Sequence, residues 1–317
     1  MFVLFADDTN IFIKGKDLAD AMQKANNVLQ SVNLYMRLNG LHINMSKSCY
    51  IHFDPHPRAT TTNDVKILLK VNDIPIKQVK STRFLGVVID EKLSWKDHIS
   101  ALKSKLKCQA GAINRIKDCV PKTLHKDLYY TLFESHLSYC IDVWGGVSSN
   151  TLKPLFVVQK QCIRLLFGDK EKFLEKFQTC ARCRPRNEQQ LKGNFYRKEP
   201  SKPLFIKHDI MAVENIYNYR CIIEVFKILK LRVPISIFSE FNLSDRNFKD
   251  TFLLTPPPAN HFLYKSSILW NIIRKKLDIM DFSVTINYVK NSLKFLILSN
   301  QNKCDNDEWS EQNLKLT

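Results

Sequence analysis

Up to Asp90 short apolar runs with an alternating period flank one stretch of helical period, and beyond it apolar residues recur every three to four positions. The pattern predicts an α+β part followed by a helical part. Phe2 to Phe5 and Ile11 to Ile13 are apolar runs separated by Ala6, Asp7, Asp8, Thr9 and Asn10, which predicts a hairpin with carboxylates at its tip. From Asp17 the positions Leu18, Ala21, Met22, Ala25, Val28, Leu29, Val32, Tyr35 and Met36 fall on one helical face, and Asn39-Gly40 supplies a left-handed stop. Leu41, Ile43 and Met45, then Cys49, Ile51 and Phe53, alternate as two strands around a polar break. Residues 54–64 read as a loop, and Ile74 to Val79 and Phe84 to Ile89 as two further strands, the second with Gly86 inside it.

After Asp90 one helical face collects Ile99, Leu102, Leu106, Ala110, Ile113 and Ile116. Pro121 opens a second helix with Leu124, Leu128 and Leu132, and a third with Leu152, Leu155, Val158, Cys162 and Leu165 follows the Gly145-Gly146 break. Residues 170–207 lack periodicity and read as a basic linker. A helix from about Ile210 to Lys230, the Pro256-Pro257-Pro258 punctuation, an amphipathic stretch from Leu269 to Leu277 and a disordered tail after Asn300 complete the chain.

The 317 residues carry 48 Lys and Arg against 31 Asp and Glu, a formal charge of +17. Such a field favours polyanions, because each phosphate that meets a cation releases a condensed counterion. The first two helices expected after Asp90 are strongly basic: from Lys92 to Lys126 stand Lys92, Lys96, Lys103, Lys105, Lys107, Arg115, Lys117, Lys122 and Lys126 against Asp97 and Asp118. No apolar run reaches the roughly 18 residues of a membrane span. Nine scattered cysteines, an odd number, suit a reducing compartment, so the expected location is intracellular, in nucleus or cytoplasm.

A carboxylate pair on a hairpin tip has two readings. It can cap the turn, or it can help hold Mg²⁺, which takes one or two carboxylates together with substrate phosphates. Phe5-Ala6-Asp7-Asp8-Thr9 between apolar strands resembles the aromatic-Ala-Asp-Asp motif of reverse transcriptases, the third of their polymerase motifs. In family order, Gly40-Leu41-His42-Ile43-Asn44-Met45-Ser46-Lys47 resembles the fourth motif and Arg83-Phe84-Leu85-Gly86-Val87 the fifth, the primer-grip hairpin. Trp95-Lys96-Asp97-His98-Ile99 and Tyr139-Cys140-Ile141-Asp142-Val143-Trp144-Gly145 are similar to segments that follow the palm in jockey-like non-LTR elements.

The resemblance implies a partial polymerase palm of antiparallel hairpins and a helix over 1–90, an α-helical thumb over 91–168, a linker over 169–207, a helical C-terminal region over 208–300 and a tail over 301–317. It implies metal-ligating Asp7 and Asp8, a leaving-group role for Lys47, and primer contacts from Phe5, Ala6, Phe84, Leu85 and Gly86. Lys103, Lys105 and Lys107 would follow the nucleic-acid backbone. The implied partners are an RNA template, a DNA primer and deoxynucleotides, with two Mg²⁺ ions and no membrane. The family's first and second motifs precede this hairpin and have no counterpart in the sequence, so the expectation is a C-terminal part inactive alone, with a non-enzymatic nucleic-acid-binding module as the alternative. Cys180 and Cys183 have zinc-like spacing, but two further ligands at a usual spacing are missing.

Overall fold

The computed structural model describes residues 1–53, 68–168, 201–231, 242–243, 254–255, 264–279 and 284–303. The expected loop at 54–64, most of the linker, Cys180, Cys183, the Pro256–Pro258 punctuation and the chain after Lys303 lie outside them. The architecture is α+β, with helices and small two-stranded sheets. Two compact units divide the chain, Met1–Asp97 and His98–Thr317.

The first unit begins with β1 (Phe2–Phe5) and β2 (Asp8–Ile11), paired antiparallel, and α1 (Leu18–Leu38). Asp17 starts α1 by accepting the Asp20 N–H at 2.8 Å. The helix ends in a Schellman motif: Gly40, at φ +69°, donates to the Arg37 carbonyl and Leu41 donates to that of Met36. Met22 and Ala25 of α1 bury against Leu69, Val71 and Ile76, with Ile13, Leu29, Ile43, Met45 and Tyr50 around them. Leu18 and Tyr35, expected on the same face, are exposed.

The strands are shorter than the alternation suggests. Leu41 to Met45 form no strand, and only β3 (Cys49–Tyr50) survives of the second run, paired in parallel with β6 (Lys77–Gln78). The Ile74 run is split into β5 (Ile74–Pro75), which returns on β4 (Lys70–Val71), and β6, because Pro75 cannot donate to a ladder and buried Ile76 turns inward between them. Phe84 to Ile89 is not one strand but a hairpin of β7 (Ser81–Phe84) and β8 (Val87–Asp90), with Leu85-Gly86 as its turn.

In the second unit α2 (Lys96–Ile116) buries His98, Ile99, Leu102, Leu106, Ala110 and Ile113. The helix expected from Pro121 is interrupted. A tight turn at Lys122–Leu124 leads into α3 (His125–Leu128), a π-helical turn at Tyr129–Glu134 and α4 (Ser135–Leu137). Its core residues are Tyr129, Phe133 and Leu137, while Leu124 is exposed and Leu128 and Leu132 are half-buried. The rings of Tyr129 and Phe133 stack at 5.6 Å. Burying two large rings one turn apart outweighs the regularity the leucines favour.

After α5 (Ile141–Trp144), α6 (Ser149–Phe167) buries Leu152, Leu155, Val158, Cys162, Ile163 and Leu166, with Leu166 rather than Leu165 facing inward. Helix α7 (Lys202–Lys207), with Phe205 buried, lies within the expected linker. Helix α8 (Val213–Leu231) is buried along most of its length and packs against α5, α6, α9 (Tyr264–Lys276) and α10 (Ile286–Lys303). The strand pair β9 (Asn242–Leu243) and β10 (Leu254–Thr255) completes the unit. Helix α10 falls in the region expected to be helical, though no element was placed there, and its buried Gln301 lies where the tail was expected.

The connector before α8 is gripped from both sides. Gln159 donates to the Tyr129 hydroxyl at 2.8 Å and to the Met211 carbonyl at 2.9 Å, and accepts the Val213 N–H at 3.0 Å. Gln301 donates to the Ile210 carbonyl at 3.0 Å and accepts from the Asn215 amide at 2.8 Å. Buried backbone groups need such partners.

Candidate functional site

Phe5 pairs with Asp8, so the turn between β1 and β2 is two residues long, Ala6 and Asp7. Ala6 has φ +51° and Asp7 does not share the positive sign, the pattern of a type II′ turn, whose twist matches that of the flanking strands. The ladder continues beyond the strands through Phe12 N–H on the Met1 carbonyl at 2.9 Å. Asp7 is thus the second residue of the turn and Asp8 the first of β2, both at a tip fixed by paired backbone and both exposed. Phe5 and Leu4 are also exposed, at 61% and 70%.

Mg²⁺ accepts one or two carboxylates with phosphate oxygens and waters, and Asp7 and Asp8 are donors of that kind. Among the described residues no group of three His, Cys, Asp or Glu comes together. Two adjacent carboxylates are fewer donors than a two-ion site requires.

Lys47 lies on a separate turn built by Asn44. The Asn44 Oδ1 accepts the N–H groups of Ser46 at 3.1 Å and Lys47 at 3.3 Å, and its carbonyl accepts the Ser48 N–H at 3.0 Å. This Asx turn explains the chemistry of the Gly-Leu-x-x-Asn-x-x-Lys spacing. Gly40 stops the helix, Asn44 folds the turn, and Lys47 is presented to solvent.

In the β7–β8 hairpin both turn residues have positive φ, Leu85 at +46° and Gly86 at +83°, which is a type I′ turn. Leucine is unusual there, and Gly86, expected inside a strand, sits in the turn instead. Phe84 packs edge-on against Phe12, with ring centroids 6.4 Å apart. The two candidate hairpins are thereby joined by an aromatic contact. At the end of β8, the Asp90 carboxylate accepts the N–H groups of Lys92 at 3.1 Å, Ser94 at 3.0 Å and Trp95 at 2.8 Å. Burial pushes its pKa up, but these hydrogen bonds outweigh burial and hold it below the ordinary value.

On α2 the three singled-out lysines do not share a face. A helix turns about 100° per residue, so Lys103 and Lys107 lie about 40° apart while Lys105 points roughly 160° away from both. Lys96 falls within about 20° of Lys103 and extends that stripe toward the start of the helix. The residues grouped by proximity in sequence thus separate into a Lys96, Lys103, Lys107 edge and a lone Lys105.

The two segments that resemble post-palm sequence meet within the second unit. Trp144 is fully buried, its ring lies 5.2 Å from that of His98, and its Nε1 donates to the Tyr139 carbonyl at 2.9 Å. Cys140, at φ +50°, makes the sharp entry to α5. A Cβ on Gly145 would sit 2.5 Å from the Ile141 carbonyl and 2.6 Å from the Tyr217 ring. The spacing of these residues is therefore that of a helix junction, and burial pushes the His98 pKa down.

Among the described residues no helix is long and apolar enough to cross a membrane. No family model matches the chain, and no solved structure matches it. The chain is similar to the "Probable RNA-directed DNA polymerase from transposon X-element" of Drosophila melanogaster, with 21% identity over 173 residues. That stretch is 53% of this chain and 18% of the relative, so the chain spans a small part of the relative's length. The similarity supports a relation at the level of the reverse-transcriptase family.

Proposed function

We propose that the chain is the part of a jockey-like non-LTR retrotransposon reverse transcriptase that runs from the active-site hairpin through the thumb into a basic helical region. The observation that carries this reading is the hairpin whose two-residue turn, Ala6-Asp7, is flanked by Phe5 on one strand and Asp8 on the other, so that both carboxylates stand at its exposed tip. Ordered after it come the Asn44-built turn bearing Lys47 and the Phe84-Leu85-Gly86 hairpin, and the partial relative points the same way. In this role Asp7 and Asp8 ligate Mg²⁺, Lys47 faces the leaving pyrophosphate, and Phe5, Ala6, Phe84, Leu85 and Gly86 hold the primer. Phosphates of an RNA–DNA duplex run along the Lys96, Lys103, Lys107 edge of α2.

Polymerisation requires ligands beyond Asp7 and Asp8, since a two-ion site must hold both the attacking and the leaving oxygen. The chain by itself is therefore expected to show no extension of a DNA primer on an RNA template with Mg²⁺ and deoxynucleotides. Extension that disappears in Asp7→Asn would overturn that expectation while upholding the role of Asp7. A second reading, a nucleic-acid-binding module without catalysis, is favoured by the incomplete carboxylate set. It predicts duplex binding that does not change on adding Mg²⁺ or in Asp7→Asn.

A further inference from the structure

Helices α9 and α10 frame a shallow, open cleft of about 470 Å³. One wall is the C-terminal end of α9, with Lys276, Leu277 and Asp278. Backbone bonds fix it: Asp278 has φ +50°, Ile279 donates to the Arg274 carbonyl at 3.1 Å, and the buried Arg274 Nε donates to the Ile279 carbonyl at 3.2 Å. The other wall is α10, which Thr285 caps by accepting the Tyr288 N–H at 3.2 Å.

On α10 the cleft residues Tyr288, Asn291, Ser292 and Phe295 share one face, while Val289, Leu293 and Ile297 are buried on the other. Tyr288 is 52% and Phe295 77% exposed. Two large rings thus stand in water on one face of a capped helix, two turns apart, with their flat faces open to a ligand. The charge says what kind of ligand that is. Helices α9 and α10 carry Lys and Arg but no Asp or Glu; at the cleft Lys276 stands near Asp278, and the exposed Lys275 precedes them on α9.

We propose that this cleft is a binding site for single-stranded nucleic acid, with bases stacking on Tyr288 and Phe295 and phosphates lying along Lys275 and Lys276. The two positions lie about 10.5 Å apart along the helix axis, close to three steps of roughly 3.4 Å along a strand, so intervening bases would pass over Asn291 and Ser292. Stacking of this kind tolerates any sequence, because every base has a flat face. A duplex keeps its faces covered, so the site is distinct from the lysine edge of α2. The proposal takes from the reading above only that the chain handles nucleic acid.

The test is fluorescence anisotropy of the full chain with a labelled (dT)20 or (rU)20 strand and, separately, with an RNA–DNA duplex. Tyr288→Ala and Phe295→Ala are each expected to weaken single-strand binding about tenfold and to leave duplex binding unchanged. Both side chains are exposed, so the fold should tolerate these changes. In Phe295→Trp, the added indole fluorescence should be quenched by the strand, a signature of stacking that a structural role would not give. If the double alanine variant binds the strand as the parent does, or the new indole is indifferent to it, the proposal fails and the cleft belongs to a protein partner. Loss of duplex binding through α2 lysine variants bears on the polymerase reading alone, so the two can fail separately.

Discussion

Leu85 sits at φ +46° beside Gly86 at +83° in the β7–β8 turn. A branched side chain in the left-handed region costs on the order of 1 kcal/mol, and Asn-Gly is the pair this turn type prefers. Leu85→Asn is therefore expected to raise the stability of the first unit by about 0.5–1 kcal/mol in urea unfolding while weakening primer contact if Leu85 touches the strand. Unchanged or lower stability would show that the contacts of Leu85 outweigh the strain. Glu134 is the second residue under stress. Burial pushes its carboxyl up to about 7 from 4.5, against smaller opposing effects of the Tyr129 hydroxyl, Lys294 and Arg220. Below pH 4.5 the group is protonated in both states; as pH rises toward 7 the unfolded chain loses the proton and the folded one keeps it. Stability should therefore fall across that window by roughly 3 kcal/mol and level off above it. Glu134→Gln should remove that fall, and a variant with the parent's pH slope would count against a buried acid here.

At the scale of elements the hairpins and the helices differ in how their backbones are protected. β1–β2 is a two-stranded sheet whose apolar Phe2, Leu4 and Phe5 are exposed, and an isolated pair of strands is marginal in water. α2 and α6 bury a full stripe each. In segment-resolved hydrogen exchange, Val3, Leu4 and Phe5 should exchange much faster than Leu102 and Leu106; equal protection in a monodisperse monomer would show the hairpin to be self-sufficient. What was legible in the sequence follows the same division. The Asp7-Asp8 hairpin and α1 were readable because a change of period and turn residues marked them. Leu85-Gly86 was not, since a leucine gives no warning of positive φ. The leucine spacing after Pro121 pointed to one regular helix, whereas Tyr129 and Phe133 impose a widened turn that no periodicity encodes. Helix α10 carried a signal in Ile286, Val289, Leu293 and Ile297, but the Asn, Lys and Ser between them diluted it. The Lys103, Lys105, Lys107 grouping followed sequence proximity where the helix separates them.

For the whole molecule the excess of cations is the feature a partner meets first. Affinity for an RNA–DNA duplex should fall steeply with salt, by about a thousandfold or more between 50 and 200 mM if six phosphates are engaged, and vary little with sequence. Lys103→Glu with Lys107→Glu should weaken it at least about tenfold, while Lys105→Glu alone does far less. A flat salt dependence, or a Lys105 variant as damaging as the pair, would move the interface off this edge. The two buried glutamines govern something else, the order in which the chain can be finished. Gln301 reaches back 91 residues to the Ile210 carbonyl, and Gln159 reaches forward to the same connector from α6. During synthesis the connector and α8 emerge long before α10, and until then the Ile210 carbonyl lacks the side chain that satisfies it in the fold. Completion of the helical unit is thus non-local and late, and a nascent chain that ends short of α10 holds an open seam where its neighbours should close.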